Sequence, residues 1–255
     1  SLSTGKLKSI IKKMYKYGCS KANTIFFQNE ENRNFFISNK LVNERKTILI
    51  PGSGVNIEKF KPTEKSSKDN LIKFLFIGRL MKDKGIEEYL EAAEKLTKEY
   101  SNLEFHILGS FEEEKYRSII KQNKNNRIKY LGTSNDVRNE IREVNCIINP
   151  SYHEGMSNVL LEGAAMGKPL IASNIPGCKE IIEDGKNGLL FEPKSVKDLE
   201  KKIIKFINLS DEERKKMGQR SREKVKKEFD RNLVIDEYIK VIKFILGEGV
   251  KNEFI

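Results

Sequence analysis

From Leu71 onward, short apolar segments alternate with longer amphipathic segments, and no other feature of the sequence constrains the fold as strongly. The short segments have the length and composition of buried strands, whereas the longer ones repeat their apolar residues at helical spacing. Strands are predicted at 72–77, 103–108, 127–131, 146–148, 169–172 and 188–191, and helices at 85–100, 112–122, 135–144, 157–166, 196–208 and 211–227. This order predicts an α/β fold, a doubly wound, Rossmann-like parallel sheet covered by helices on both faces.

Two stretches lie outside this alternation. Before Leu71, the pattern predicts helices over 6–17 and 30–37 and strands over 24–27 and 47–50. A turn at 51–54 and a polar segment at 59–70 follow, and the polar segment is typical of a linker. A last helix is predicted over 231–246.

Charge composition limits the classes of partner. The formal net charge of the 255 residues is +11. Such an excess favours an anionic partner, whether nucleic acid, a phosphate-bearing ligand or an acidic membrane face, and a merely lysine-rich surface explains it equally well. Because no recognised nucleic-acid-binding motif is present, nucleic acid is not an expected partner.

Cysteine usage and hydropathy favour the cytosol. The three cysteines are odd in number and far apart, so they predict neither a disulfide framework nor a zinc site. No apolar run approaches the roughly 20 residues of a membrane-spanning helix, and no secretory signal is recognisable. The first residue is serine rather than methionine, and we expect the natural protein to extend further at this end.

A glycine and two cations follow the first strand of the alternation. Gly78 permits a tight turn, and Arg79 supplies a planar fork suited to bidentate contact with phosphate. Lys84 adds a compact positive charge next to Gly85, where a helix is predicted to begin. Two cations at a strand end beside a helix N-terminus form a clamp suited to a diphosphate. The alternative is a solvated basic loop with structural glycines.

The segment 150–162 joins another strand to another helix and contains two glutamates. Ser157 is the predicted N-cap, and Glu162 lies in the second turn, with its side chain leaning back toward the helix N-terminus. Carboxylates accept hydrogen bonds from sugar hydroxyls, so Glu154 and Glu162 are candidates for binding a sugar and a ribose. The alternatives are compensation of the helix dipole by Glu154 and a surface position for Glu162. Gly155 allows backbone N–H groups to face a ligand, and the free donors at the helix N-terminus favour an anion there.

Further residues are expected near the same crevice. The segment 174–180 follows a strand, and we expect it to enter a helix and line the crevice, although an ordinary strand–helix connection fits it as well. Gly109 and Gly132 end two other predicted strands, so they are candidates for lining the crevice, as is His153 beside Glu154.

Other reactive residue types are assigned to packing. His106 lies inside a predicted strand, and Cys146 and Cys178 have no partners with metal-site spacing. Signatures for a Ser-His-Asp hydrolase, a Walker A loop and a Gly-x-Gly-x-x-Gly dinucleotide site are absent from the sequence. We therefore expect no metal and no cofactor.

Taken together, these motifs resemble family 4 of the retaining glycosyltransferases, whose members have the GT-B fold. The family's Gly-Arg-x4-Lys-Gly stretch is matched at 78–85, and its Glu-x7-Glu motif is matched at 154–162. The segment 48–60 is similar to the family's junction between domains, so the resemblance covers nearly the whole chain. The Pro-Gly-Ser-Gly form of that junction and the stretch 26–29 resemble a bacterial surface-polysaccharide subgroup.

The resemblance implies a role for each motif residue. Arg79 and Lys84, beside Gly78, would hold the pyrophosphate of a nucleotide-sugar donor, Glu162 would bind the ribose, and Glu154 would contact the transferred sugar. Backbone amides at Gly155, Met156, Ser157 and Asn158 would lie near the donor. Catalytic roles would fall to Glu154, Arg79 and Lys84. The implied reaction moves a sugar, with retention and without a metal, from a UDP-hexose or UDP-N-acetylhexosamine to a glycan or lipid-linked acceptor.

The resemblance also implies a division of the chain. Residues 1–50 would be a remnant of the N-terminal acceptor-binding domain, 51–70 the interdomain linker, 71–228 the nucleotide-sugar-binding domain, and 229–255 a helix that crosses back to the N-terminal domain. Family members carry that domain whole, so we expect this chain to bind donor but to be inactive alone. Surfaces at 1–50 and 231–255 are then expected to be apolar and prone to self-association.

Three other functions remain open from the sequence. A UDP-sugar epimerase or a sugar phosphorylase would use a related fold. A non-catalytic nucleotide-binding module, such as a response-regulator-like domain, would carry an acidic phosphoacceptor cluster at its strand ends.

The expected location is the cytoplasm, with peripheral contact at the inner membrane.

Overall fold

A computed structural model describes residues 4–65 and 69–247, so predictions for 1–3, 66–68 and 248–255 lie outside the described residues. The helices are α1 (Thr4–Lys21), α2 (Glu30–Ser38), α3 (Ile86–Glu99), α4 (Glu114–Gln122), α5 (Arg138–Glu143), α6 (Asn158–Ala165), α7 (Val196–Ile207), α8 (Asp211–Glu228) and α9 (Arg231–Leu246). The strands are β1 (Ile25–Phe27), β2 (Thr47–Leu49), β3 (Ile72–Ile77), β4 (Leu103–Leu108), β5 (Ile128–Tyr130), β6 (Cys146–Asn149), β7 (Leu170–Ser173) and β8 (Gly188–Phe191). Short 3₁₀ turns occupy Glu44–Lys46 and Lys82–Lys84.

The main sheet is parallel throughout and has the strand order β5-β4-β3-β6-β7-β8. The chain builds outward from β3 to β5 on one side and then returns to add β6, β7 and β8 on the other. This is the doubly wound arrangement that the alternation of apolar and amphipathic segments predicts, and the fold class is confirmed. A second, small parallel sheet pairs β1 with β2.

Helices cover both faces of the main sheet. On one face, Phe74 of β3 packs in a cluster with Tyr89 of α3 and Phe206 of α7. On the other face, the next residue, Leu75, belongs to a separate cluster with Leu160 of α6. Because successive side chains of a strand point to opposite faces, both sides of β3 must be apolar, and this explains its continuous apolar sequence.

The predicted polar linker is partly packed. Val55 and Phe60 are buried in the cluster around α6, and the Val55 N–H donates to the Phe229 carbonyl at 2.8 Å. At the far end of the chain, the ring of Tyr238 in α9 lies 4.5 Å from the ring of Phe26 in β1. The last helix therefore contacts the N-terminal unit, the part of the chain before residue 51.

Two helices begin later than their sequence patterns predict. α5 starts at Arg138 rather than near 135, because Ser134 and Asp136 form local turns in which the Asp136 N–H donates to Ser134 Oγ at 3.1 Å. Side chains of this type compete with helical hydrogen bonds. α4 likewise starts at Glu114, since the N–H groups of Glu112 and Glu113 donate to the Leu80 carbonyl.

The first and last helices leave apolar side chains exposed, as the sequence predicts. On α1 the most exposed are Met14 and Tyr17, at 68% and 70%. On α9, Ile242 is 53% exposed and its neighbours Ile239 and Ile245 are also exposed. Contiguous apolar surface of this kind is typical of an interface rather than of a solvated face.

Candidate functional site

The carboxyl ends of β3 and β6 meet where the strand order of the sheet reverses. β4 and β5 lie on one side of this pair, and β7 and β8 lie on the other. These two strands lead to helices on opposite faces of the sheet, α3 and α6, and sheets of this kind bind ligands in a crevice at such a point. The first predicted motif, 78–85, follows β3, and the second, 150–162, follows β6, so the topology places both at this crevice.

Backbone contacts lock the two loops together. The Tyr152 N–H donates to the Asp83 carbonyl at 2.9 Å. Gly85 has a φ of +72°, and a Cβ built on it would lie 2.1 Å from the Pro150 carbonyl oxygen. Both its backbone conformation and the lack of space therefore require glycine at this position.

The clearest side-chain contact in the crevice joins the two motifs. Lys84 Nζ lies 2.8 Å from Glu154 Oε1, and the two side chains are only 26% and 15% exposed. Gly85 ends the 3₁₀ turn that carries Lys84 and directs the chain into α3. An ammonium group has three donors, so Lys84 keeps two for a ligand while it holds Glu154.

Arg79 lies in the open part of the same loop. Its side chain is 56% exposed, and its Nη1 lies 3.4 Å from Glu112 Oε1. The guanidinium group is therefore accessible to solvent, and an exposed ion pair of this kind contributes little to stability. The structure brings Lys84 together with Glu154 but gives Arg79 a different acidic neighbour, Glu112, which the sequence analysis did not single out.

The glycines that end β3, β4 and β5 lie side by side. The Gly109 N–H donates to the Gly132 carbonyl at 2.8 Å, and a Cβ on Gly109 would lie 1.8 Å from the Gly78 carbonyl oxygen. Gly109 also has a φ of +150°. This close approach of three backbones lets the strand ends form a continuous edge beside Arg79.

The loop before α6 and the first residue of that helix offer backbone donors at three of the four predicted positions. Ser157 is the N-cap of α6, as predicted, and its side chain accepts from the Leu160 N–H. Its own N–H, however, donates to the Gly177 carbonyl at 2.9 Å and is therefore occupied. Among the described residues, the N–H groups of Gly155, Met156 and Asn158 have no hydrogen-bond partner.

Asn158 and Glu162 lie one turn apart on α6, so they share one face of the helix. Asn158 Oδ1 accepts from Ser53 Oγ at 3.0 Å, which directs this face toward the 51–54 turn. Burial raises the pKa of Glu162, whereas Lys59 and Arg231 oppose that rise. Within 4–65 and 69–247, the Glu162 carboxylate makes no hydrogen bond or ion pair, so it has acceptor capacity for a ligand.

The prediction of a helix after β7 is wrong. Residues 174–180 form successive turns, with the Cys178 N–H donating to the Ile175 carbonyl at 3.1 Å. Pro176 has no N–H, and Gly177 has a left-handed φ of +83°, so the helical pattern cannot propagate here. The segment nevertheless reaches the crevice, since a Cβ on Gly177 would lie 2.9 Å from Glu154 Cβ.

The histidines and buried cysteines have distinct surroundings. His153 is exposed beside the crevice, whereas His106 is buried in β4 and contacts Glu104. Burial lowers the pKa of His106, and it raises the pKa of the Cys146 and Cys178 thiols. These buried positions agree with the predicted packing roles.

Two residues of the N-terminal unit that no sequence pattern assigned to the site contact the second motif. Asn29 Nδ2 donates to the Gly155 carbonyl at 2.7 Å, and a Cβ on Gly155 would lie 2.7 Å from Gln28 Oε1. The N-cap signature of Asn29 before Glu30 and Glu31 is readable from sequence. Its second contact is not, because it joins residues that are distant along the chain.

Neither a metal site nor a membrane-spanning helix is found among the described residues. Across the described ranges, no group of His, Cys, Asp and Glu side chains has the arrangement of a metal site. None of the helices within 4–65 and 69–247 is both long and apolar enough to span a membrane.

The chain is similar to a curated enzyme and to solved structures. It is 29% identical over 243 residues to the N,N'-diacetylbacillosaminyl-diphospho-undecaprenol alpha-1,3-N-acetylgalactosaminyltransferase of Campylobacter jejuni, a match that covers 91% of this chain and 63% of that protein. The crystal structure of a glycosyltransferase from Rickettsia africae superposes with a TM-score of 0.83 and 24% identity, covering 94% of this chain and 68% of that one. The crystal structure of Anabaena Alr3699/HepE in complex with UDP and glucose gives a TM-score of 0.76 and 18% identity, covering 91% and 67% of the two chains.

The chain thus spans less than two thirds of the length of its Campylobacter relative. The family model described as glycosyl transferases group 1 matches residues 57–224, which is more than half of the chain and includes both motifs of the crevice. The family resemblance that those motifs carry in the sequence is therefore confirmed, and the chain belongs to the glycosyl transferases group 1 family.

Proposed function

We propose that this chain binds the nucleoside diphosphate of a nucleotide-sugar donor in the crevice at the carboxyl ends of β3 and β6. The observation that carries this proposal is the contact between Lys84 and Glu154 at the point where the strand order reverses. A cation suited to phosphate and an acid suited to sugar hydroxyls lie side by side there. The free N–H groups of Gly155 and Met156 add neutral donors next to them.

Each residue has a proposed role in that site. Lys84 and Arg79 bind the pyrophosphate and stabilise the negative charge that develops on the departing nucleoside diphosphate. Glu154 contacts the transferred sugar. Glu162 binds the ribose hydroxyls, a role supported by its free carboxylate on the first turns of α6.

The proposed donor is a UDP-hexose or a UDP-N-acetylhexosamine. The Anabaena structure that shares this fold contains UDP and glucose, and the Campylobacter relative is named as an N-acetylgalactosaminyltransferase. Retention at the anomeric carbon is part of the proposal and rests on the resemblance of the motifs 78–85 and 154–162 to retaining enzymes.

We propose that sugar transfer requires an acceptor-binding domain in addition to these 255 residues, with the division at 50, 70 and 228 that the resemblance implies. The exposed apolar side chains of α1 and α9 and the contact of Tyr238 with Phe26 support a docking surface there. The proposed acceptor is a glycan or a lipid-linked saccharide. Sugar transfer to a lipid-linked acceptor would take place at the cytoplasmic face of the inner membrane. The net charge of +11 favours peripheral contact with anionic lipid there.

Calorimetric titration of the chain with UDP, GDP, UDP-glucose and UDP-N-acetylglucosamine tests the donor proposal. Because ligand binding stabilises the native state by about 2.7 kcal/mol at a hundredfold excess over Kd, UDP should also raise Tm by about 5 °C. Arg79→Ala should weaken UDP binding. Arg117→Ala should not, because Arg117 is similarly exposed, at 58%, and is likewise paired with a glutamate. Equal effects of the two substitutions would contradict the assignment of Arg79.

A further inference from the structure

A buried asparagine of the N-terminal unit makes two hydrogen bonds with different consequences. Asn29 is 1% exposed. Its Oδ1 accepts from the Asn32 N–H at 2.8 Å and caps α2, whereas its Nδ2 donates to the Gly155 carbonyl at 2.7 Å. The first bond is local to the helix, and the second fixes a peptide group of the crevice loop 126 positions away in sequence.

The second bond determines which way that peptide group faces. A peptide unit is planar and trans, so the carbonyl of Gly155 and the N–H of Met156 point in opposite directions. By holding the carbonyl on the side of α2, Asn29 turns the Met156 N–H to the opposite side. That N–H has no protein partner among the described residues.

Close packing around the loop maintains this arrangement. A Cβ on Gly155 would lie 2.7 Å from Gln28 Oε1, and a Cβ on Gly52 would lie 2.5 Å from Met156 Cγ. On the far side, the Ser157 N–H is fixed by the Gly177 carbonyl. The segment between Gly155 and Ser157 is therefore held by the N-terminal unit, the 51–54 turn and the 174–180 turns together.

We propose that Asn29 is a positioning residue for the donor site: its side-chain amide orients the Gly155–Met156 peptide so that the Met156 N–H donates to a phosphate oxygen of the bound nucleoside diphosphate. This inference rests on the proposed function of the crevice. A residue of the N-terminal unit would then contribute to nucleotide binding, although both motifs, 78–85 and 150–162, lie outside that unit.

Replacing Asn29 by aspartate separates its two contacts. Asn29→Asp keeps the oxygen that caps α2 but loses the donor to Gly155 and places a carboxylate oxygen against the Gly155 carbonyl. Asn29→Ser keeps a capping oxygen without adding charge and without the reach to Gly155. The matched control is Asn43→Asp, because Asn43 Oδ1 caps a 3₁₀ turn by accepting from the Arg45 N–H at 3.0 Å in the same way. Its Nδ2 has no partner in the described part of the chain.

The measurements are the Kd values of UDP and uridine for each variant. Loss of one charge-assisted hydrogen bond predicts UDP binding about tenfold weaker in Asn29→Asp and Asn29→Ser. Uridine, which has no phosphate, should bind both variants as it binds wild type, and Asn43→Asp should match wild type for both ligands. Unchanged UDP affinity in both Asn29 variants, or an equal loss of UDP and uridine affinity, would overturn the proposal.

An NMR spectrum of the backbone amides of the ligand-free chain distinguishes failure of this inference from failure of the proposed function. If Asn29 orients the peptide, Asn29→Asp shifts the Met156 N–H resonance and Asn43→Asp leaves it in place. An unshifted Met156 resonance in Asn29→Asp refutes the orienting role whatever the ligand results. If wild type binds neither UDP nor uridine, the donor assignment is wrong and the phosphate contact of Met156 fails with it, even where the resonance shifts.

Discussion

Lys84 Nζ contacts Glu154 Oε1 at 2.8 Å and thereby joins the loops after β3 and β6. Seventy positions in sequence separate the two residues. A cation that is held in place by an acid of a neighbouring loop is preorganised, so it needs little rearrangement to accept an anion.

Removal of this cation should weaken nucleotide binding strongly. Lys84→Met keeps the apolar stem but loses the charge, and hydrogen bonds to charged groups contribute about 1.5–3 kcal/mol, so the Kd of UDP should rise about 10- to 100-fold. Lys82→Met is the control, because Lys82 lies in the same turn and is exposed. Calorimetry that finds equal losses in the two variants would assign the effect to net charge rather than to the Lys84 contact.

Glu162 should make stability depend on pH. Burial raises the pKa of Glu162 above the 4.5 of a solvated glutamate, so the folded state binds this proton more tightly than the unfolded state. The stability that Glu162 contributes is fully present below its pKa in the unfolded state. It is lost as the pH rises through its higher pKa in the folded state. Glu162→Gln should therefore have a Tm above that of wild type at pH 7, with the difference shrinking toward pH 4.

Glu162→Gln should also reduce donor binding, because glutamine offers one neutral acceptor oxygen where the carboxylate offers two charged ones. A variant that gains Tm without ligand and loses UDP affinity is the expected combination for a buried binding carboxylate. Thermal scans of Glu162→Gln at pH 4 and pH 7, together with UDP titration at pH 7, check both parts. A Tm difference that is independent of pH would count against a buried ionised carboxylate.

Gly177→Ala should displace the loop that carries Glu154. Gly177 has a φ of +83°, and its added Cβ would lie 2.8 Å from the Gly155 carbonyl oxygen. Gly185→Ala is a matched control, because Gly185 has a φ of +78° with nothing within 4 Å of the added Cβ. Left-handed strain alone should cost the control about 1 kcal/mol.

The two alanine variants are compared by denaturant unfolding and by UDP titration. We expect Gly177→Ala to lose more stability than Gly185→Ala and, unlike it, to lose UDP affinity. If both variants bind UDP as wild type does, the 174–180 turns do not support the Glu154 loop.

Exposed apolar side chains of α9 should cause the 255-residue chain to self-associate. Ile242 is 53% exposed, and burying an isoleucine contributes about 1.5–3 kcal/mol, so Ile242→Glu should raise the dissociation constant of the associated form about tenfold or more. Ile119→Glu is the control, because Ile119 is 43% exposed on α4, away from α9. Sedimentation equilibrium measures both variants, and a monomeric wild type across the concentration range would contradict the prediction.

The fold could be predicted from the sequence because its signals are local. The apolar run of β3 and the helical spacing of α3 each depend on residues close together along the chain. Glycines at 78, 109 and 132 marked the strand ends, and parallel strands place those ends at one edge. The family motifs then placed Lys84, Glu154 and Glu162 near that edge, and the fold class and family are confirmed.

Tertiary structure alone decided the contacts within the site. The Lys84–Glu154 pair and the Asn29–Gly155 bond join distant segments, and no periodicity encodes which side chains meet after the sheet twists and the loops pack. Long-range packing also pairs the Ser157 N–H with the Gly177 carbonyl, and residues 174–180 form turns where a helix was predicted. Sequence patterns determine where each strand begins and ends, because strand and helix propensities are short-range. Hydrogen-bond partners at those ends depend on long-range packing, which only the folded chain determines.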